Sequence, residues 1–438
     1  MRSRLLAAGA LALTGALAWL AVVNVVAART LQALILTSIG YVSYLAWRGW
    51  HTITNARAMA EPASGELPWI TVVVPARDEE SVIADVVADI LAQDYADERG
   101  RRFDLLVIDD GSSDATAAVA RAAAEAAGAS ESFGIVRREP GSGPRTKGAA
   151  LAYAHGSVRG EIVAVLDADS MLAPSYLGLA MAAWARDPDA VALQTRRRVL
   201  NATRGWLPAA QEEEHLMDLA SQCGRWITDG TAELRGTGMF VRRAAVEAVG
   251  GWDPVTVTED LEISSRLALA GEHITIAPEA DAREEAVEQV GALWAQRMRW
   301  AEGSMRRLID HGPRLLSDGR LPLRKRLDFL VFTTEFVAPP LFLTSIAASL
   351  FTIALPGPAD WTVPVTLFLG YGLGTFVLAA AGLAATGTRG WSVVGRASRG
   401  SMFLSHWLVV VPLALLKIAV GPRSREFART PRAARRDR

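Results

Sequence analysis

Apolar residues fill positions 5–28 and 31–47 almost without interruption, and they do so again at 329–355, 362–386 and 402–420. Runs of this length suit helices that cross the hydrocarbon layer of a bilayer, which is about 30 Å thick. The first two, parted only by Arg29 and Thr30, predict a transmembrane hairpin over residues 1–50 and a linker over 51–68. A cleaved leader is the rival reading, since Arg2 and Arg4 precede the first run and Val26-Ala27-Ala28 resembles a cleavage site. That run is long for a leader, so a span is preferred. The later runs predict two or three membrane segments over 327–421 and a basic tail over 422–438. Pro412 within the last run admits either a crossing or an interfacial course, which leaves four or five spans.

Between the apolar ends, residues 69–326 alternate short β-branched runs with Ala-rich helical stretches. Strands are predicted at 70–74, 103–108, 135–137 and 161–166, with helices at 79–92, 114–127 and 147–157. This alternation predicts a largely parallel sheet covered on both faces, with ligands outside the carboxyl ends of its strands. Positive charge flanks the apolar runs at Arg2, Arg4, Arg48, His51 and Arg57, and again at Arg389, Arg396 and Arg399, whereas 356–360 carry none. Such a bias places the middle domain in the cytoplasm and the protein in the cell membrane as a multi-pass chain. The arginine-rich tail agrees only if the last run does not fully cross.

The 438 residues carry a net charge of −1, so no global basic field recommends a nucleic-acid partner. The one cysteine, Cys223, excludes an intrachain disulfide and an all-cysteine metal site, and it is read as a packing residue. Few ionisable residues interrupt the apolar runs, chiefly Glu335, His406 and Lys417, which argues against a transport pathway.

Chemistry concentrates at strand ends. Asp78-Glu79-Glu80 follows the first strand, Asp109-Asp110 the second and Asp167-Ala168-Asp169 the fourth, while Thr258-Glu259-Asp260 precedes a helix. An extended D-x-D sets both carboxylates on one side of the chain, where hard oxygen ligands suit Mg²⁺ or Mn²⁺ on a substrate diphosphate. Thr258 with its two acids also reads simply as a capped helix N-terminus. The glycine-rich segment 141–147 is not a P-loop, because Thr146 stands where glycine is needed and Gly148 where Ser or Thr is needed. Lys147 still starts a helix, where it would meet a phosphate or pack as a surface cation. In a helix beginning near Gly291, Gln296, Arg299 and Trp300 share a face while Arg297 and Met298 turn away. That face offers a guanidinium to an anion and an indole to a sugar ring.

Six ordered motifs over about 69–307 resemble family 2 glycosyltransferases, in particular the membrane-bound cellulose, chitin, hyaluronan and poly-N-acetylglucosamine synthases. They are VVVPARDEE at 72–80, DDGSSDAT at 109–116, KGAAL at 147–151, DAD at 167–169, TED at 258–260 and QRMRW at 296–300. The resemblance implies an α/β GT-A (Rossmann-like) catalytic domain inserted between transmembrane helices. It also implies an inverting transfer of a hexosyl unit from UDP-glucose or UDP-N-acetylglucosamine to a glycan or lipid acceptor. Pro75, Arg77, Glu79, Asp110, Lys147 and Asp167 would meet the nucleotide, and Asp167 and Asp169 the metal. Asp260, with Glu259 beside it, would supply the base. Gln296, Arg299, Trp300, Thr237 and Gly238 would meet the diphosphate and acceptor. Segments 232–243, 258–271 and 284–312 are also similar to β-monoglucosyldiacylglycerol synthases, whose acceptor is a lipid, although Ser304-Met305 departs from their pattern.

Overall fold

The computed structural model describes residues 2–353 and 361–421; the connection expected at 356–360 and the basic tail expected at 422–438 lie outside the described residues. Helices α1 (Arg2–Val23) and α2 (Val25–Ala58) lead the chain. Their break falls at Asn24 rather than at Arg29-Thr30, and the Asn24 side chain accepts hydrogen bonds from the amides of Val26 and Ala27. A capping side chain ends one helix and starts the next, whereas arginine and threonine both fit a helix interior. Residues 51–58, expected in a linker, continue α2.

The sheet region follows in the order β1 (Ile70–Ala76), α3 (Ile83–Leu91), the short hairpin β2 (Ala96–Asp97) and β3 (Gly100–Arg101), β4 (Phe103–Asp109), α4 (Thr116–Ala126) and β5 (Phe133–Arg137). Next come α5 (Lys147–Ala154), β6 (Ile162–Val165), β7 (Met171–Leu172), α6 (Tyr176–Ala185), β8 (Ala192–Val199) and α7 (Trp206–Ile227). The region closes with β9 (Met239–Arg242), α8 (Arg243–Ala248), α9 (Glu259–Leu269) and β10 (Ile274–Glu284). The long α10 (Val290–Ser317) leads to α11 (Leu323–Ile353), α12 (Thr362–Ala385), α13 (Trp391–Leu404) and α14 (Trp407–Val420).

Contacts divide the chain into two compact units. One comprises Ile53–Ala209 and Thr231–Ala292 and holds an eight-stranded sheet in the order β5-β4-β1-β6-β9-β8-β10-β7. The sheet is largely parallel, as expected: β5, β4, β1, β6, β8 and β10 run one way, while β9 runs antiparallel to both β6 and β8, and β7 antiparallel to β10. Val72 and Val74 face a core shared with α3 and α6, while Val73 faces another shared with α5 and α9. Burial on both faces explains the unbroken valine run.

The second unit gathers the chain up to Thr52, Ala210–Gly230 and the described residues from Leu293 onward. Most of α7 and α10 group with the apolar helices in this unit. Small residues make this possible: a Cβ on Gly49 would stand 2.0 Å from the Ala220 carbonyl oxygen, and one on Gly224 would stand 2.2 Å from that of Leu45. Backbones this close require glycine. Cys223 is buried in α7, as a packing role requires. The Glu213 carboxylate, wholly buried, accepts from Arg396 Nε at 2.7 Å and from Arg399 Nη2 at 2.7 Å. Both arginines were expected on a connecting loop; they lie on α13 instead. Asp328 on α11 is likewise held by Arg225 Nε at 3.0 Å and by the Tyr41 hydroxyl at 2.6 Å. Among the described residues five elements are long and apolar enough to cross a membrane: α1, α2, α11, α12 and Trp391–Val420. The last is broken between α13 and α14, so it reaches that length only as a bent whole.

Candidate active site

The carboxyl ends of β1 and β4 carry two laced loops. Asp78 adopts a left-handed φ of 55°, and its Oδ1 accepts from the Ser113 amide at 2.7 Å. The amide of Asp78 donates to Ser112 Oγ at 3.0 Å, that of Glu79 to Thr116 Oγ1 at 2.8 Å and that of Ala115 to Glu80 Oε2 at 2.9 Å. These bonds hold residues 78–80 in a turn and postpone α3, expected from Glu79, to Ile83. Pro75 lies within β1, and the Arg77 guanidinium stands 3.9 Å from Asp78. The Asp110 amide donates to the Ala76 carbonyl at 2.9 Å, and its carboxylate pairs with the buried Arg138. Arg138 in turn donates to the Pro144 carbonyl at 2.9 Å, closing the glycine-rich segment into a ring beside β4.

A second cluster forms where β6, β9, α5 and α9 meet. Thr146 caps α5, accepting from the Ala149 amide at 3.0 Å and donating to the Pro254 carbonyl at 2.8 Å. Lys147 then projects from the first turn to within 2.6 Å of Asp167 Oδ1 and 3.4 Å of Glu259 Oε1. Because β9 is antiparallel to β6, its start lies at the carboxyl end of β6. There the Asp167 amide donates to Thr237 Oγ1 at 3.1 Å, and the Gly238 amide to the Val165 carbonyl at 3.0 Å. Gly238 has φ +73°, and a Cβ there would stand 2.1 Å from Thr195 Oγ1. A Cβ on Gly236 would be 3.5 Å from Asp260 Oδ2, so Asp260 borders the same loop.

The cluster is electrostatically strained. Burial drives the Glu259 carboxyl up to about 7, against the pull of Lys147 and with help from Asp260. Burial raises Asp260 as well, while its bond from the Leu261 amide and the charges of Lys147, Arg235 and Arg197 oppose the rise. For Lys147 burial opposes the charge, and Asp167 and Glu259 more than reverse that, so the ammonium is held firmly protonated. Thr258, expected to cap α9, makes no side-chain cap; the helix N-terminus is left to its acids.

Glu284 carried no signal in the sequence, yet it completes the cluster. It ends β10 beside the β7 register, where Arg283 faces Met171, and its carboxylate accepts from Arg197 Nη2 at 2.5 Å. Burial raises its pKa, Arg197 opposes, and the charges of Asp169 and Asp167 add to the rise. Only strand pairing between segments more than a hundred residues apart makes these neighbours.

Among the described residues no three His, Cys, Asp or Glu side chains form a metal cage. Asp167, with 37% of its side chain exposed, and the nearly buried Asp169 fit a hard cation that takes its other ligands from diphosphate and water. Gln296, Arg299 and Trp300 belong to the helical unit, on α10. Gln296 Oε1 is buried without a hydrogen-bond partner among the described residues, and burial lowers the Arg299 pKa, so an anion beside that guanidinium would restore lost solvation. Arg297 does not turn away from this face. Its guanidinium carbon lies 4.2 Å from the Trp300 ring centroid, because residues three apart on a helix are neighbours.

Residues 68–303 match the model of the family described as glycosyltransferase like family 2. The chain belongs to that family. It is a glycosyltransferase with the GT-A fold. Over 374 residues it is 29% identical to the β-monoglucosyldiacylglycerol synthase of Synechocystis sp., covering 84% of this chain and 75% of the relative. It is 27% identical to the poly-β-1,6-N-acetyl-D-glucosamine synthase of Staphylococcus aureus, over 59% of this chain and 60% of that protein. A mannosyltransferase from Pyrobaculum calidifontis, solved with GDP-Man and Mn²⁺, shares the fold with a TM-score of 0.57 at 20% identity, covering 88% of this chain and 99% of the other.

Proposed function

We propose that this transferase moves a hexosyl unit from a UDP-sugar, UDP-glucose or UDP-N-acetylglucosamine, to a membrane-associated acceptor with inversion, forming a β-glycosidic bond as β-glycan synthases do. The convergence of Lys147, Asp167, Glu259 and Asp260 carries this reading: a cation and a carboxylate for a diphosphate stand beside a pair of carboxyls with raised pKa values, suited to proton removal. Asp260 takes the proton of the acceptor hydroxyl as its oxygen attacks the anomeric carbon. Glu259 tunes that base. Lys147 and Arg299 stabilise the negative charge of the departing diphosphate. Pro75, Arg77, Glu79 and Asp110 border the base and ribose. Thr237 and Gly238 shape the loop next to Asp167, and Gln296 and Trp300 hold the acceptor and cover the sugar.

Asp167 and Asp169 would hold Mg²⁺ or Mn²⁺, which when bound neutralises diphosphate charge. Multi-pass insertion in the cell membrane with the sheet unit in the cytoplasm gives it access to nucleotide sugar. A second reading, transfer of one glucose to diacylglycerol, is favoured by the match to β-monoglucosyldiacylglycerol synthases, which runs well beyond 68–303.

Membranes containing the chain, incubated with radiolabelled UDP-glucose or UDP-N-acetylglucosamine and separated into lipid extract and insoluble polymer, test both. Label in polymer supports the first reading and label in lipid the second. No label in either fraction from either donor defeats both.

A further inference from the structure

One face of α10 docks on α14 within the helical unit. Met298 and Ala301 pack with Trp407, Val410 and Ala414, and Met305 meets Val411, Leu415 and Ile418. Glu302, beside Ala301, is bridged by Lys417 Nζ at 2.9 Å. Positions 298, 301, 302 and 305 follow the spacing of a single helix face. Arg297 heads this seam with 1% of its side chain exposed. Its guanidinium donates to Glu214 Oε2 and lies over Trp300, with the Trp407 ring centroid 5.7 Å away. The other Glu214 oxygen accepts from Trp407 Nε1 at 3.2 Å. One carboxylate on α7 therefore ties together the cation against Trp300 and an indole on α14.

A guanidinium is planar and delocalised, so stacking on an aromatic face restricts the ring's orientation; an ammonium at the same place is a point charge that does not. We propose that Arg297, anchored by Glu214, is a positioning residue that sets the plane of the Trp300 indole for its contact with the sugar. This rests on the sugar-covering role given to Trp300 above. Arg297 itself touches no reacting atom. The Glu214 carboxylate balances its charge, which is why a fully buried guanidinium is tolerated there.

The test uses full-length protein in nanodiscs labelled with 5-fluorotryptophan, in which the fluorine signal missing from Trp300→Phe is that of Trp300. Arg297→Lys is expected to shift or broaden that signal while the thermal midpoint stays near wild type, and Glu214→Gln to move the same signal while lowering the midpoint, since it leaves the buried guanidinium without its counter-charge. With UDP-glucose as donor, each should lower kcat by about tenfold or more with donor KM little changed, the scale expected for a displaced positioning group. The double variant should be no worse than the worse single one. An unmoved Trp300 signal in Arg297→Lys, or losses that multiply in the double variant, overturns the proposal. Trp300→Ala separates it from the reading beneath. Full transfer by that variant removes the role of Trp300 and the proposal with it, whereas an inactive Trp300→Ala beside a fully active Arg297→Lys removes positioning alone. If the wild type transfers nothing from UDP-glucose, the fluorine signal alone decides.

Discussion

Glu259, buried, and Asp260, half-buried, are adjacent acids at the first turn of α9, and Lys147 is the cation they share with Asp167. Asp260→Asn keeps shape and burial but removes the basic oxygen. Transfer is expected to fall by about 10²-fold or more, with UDP binding by calorimetry retained. Wild-type turnover in that variant would take the base role away from Asp260. With the Glu259 carboxyl raised to about 7, the pair loses its protons well above the ordinary carboxylate range, so kcat/KM should rise with pH through an apparent value belonging to both acids. Glu259→Gln deletes one of two like charges, and the acid limb of that profile should move to lower pH. Stability has the opposite slope. Because the folded protein binds the Glu259 proton more tightly than the unfolded chain, this contribution is complete below the ordinary glutamate value and is lost as pH rises towards 7. Denaturant titrations of the ligand-free protein should show that loss in wild type and a flatter pH dependence in Glu259→Gln.

At the scale of elements, two close approaches hold the arrangement. Gly238 starts β9 in a left-handed conformation with Thr195 Oγ1 where a Cβ would go. Gly238→Ala should cost about 2 kcal/mol or more in unfolding free energy, measured by denaturant titration, and should weaken UDP binding by shifting the partner of Asp167. In the helical unit, Glu213→Ala leaves Arg396 and Arg399 facing a buried void. Loss of a buried acid with two cationic partners should destabilise by about 3 kcal/mol, read as a lowered thermal midpoint in detergent. Four strands, β1, β4, β5 and β6, were legible because a two-sided core demands apolar runs, whereas β7 to β10 were not read from the sequence. Helix starts were less so: α3 begins late because Asp78, Glu79 and Glu80 are engaged by the 112–116 loop, a partnership no local pattern reveals. The α1–α2 break was misplaced for a related reason, since apolar periodicity passes straight through Asn24 and only its capping bonds mark the turn.

For the whole molecule, metal dependence is the sharpest expectation. Among the described residues no third carboxylate, His or Cys joins Asp167 and Asp169 in a cage, which makes a weak site by itself, so EDTA should abolish transfer, Mg²⁺ or Mn²⁺ should restore it, and the melting of the ligand-free protein should hardly change. Unchanged transfer in EDTA would count against Asp167 and Asp169 as metal ligands. Composition and periodicity were sufficient to find the long apolar helices at both ends and the sheet unit between them, since a bilayer-length helix and a two-sided core each impose their own run lengths on a chain. The identities of Lys147, Asp167, Asp169, Glu259 and Asp260 were likewise readable from ordered motifs. Tertiary structure alone decided which of them meet. Antiparallel β9 brings Thr237 and Gly238 to Asp167, the end of β10 adds Glu284, and desolvation raises the pKa of both Glu259 and Asp260. It also assigned α7 and α10, polar enough to read as parts of the sheet domain, to the helical unit through glycine contacts and buried ion pairs. Hydropathy is a property of each segment, whereas charge pairing and backbone approach exist only between segments.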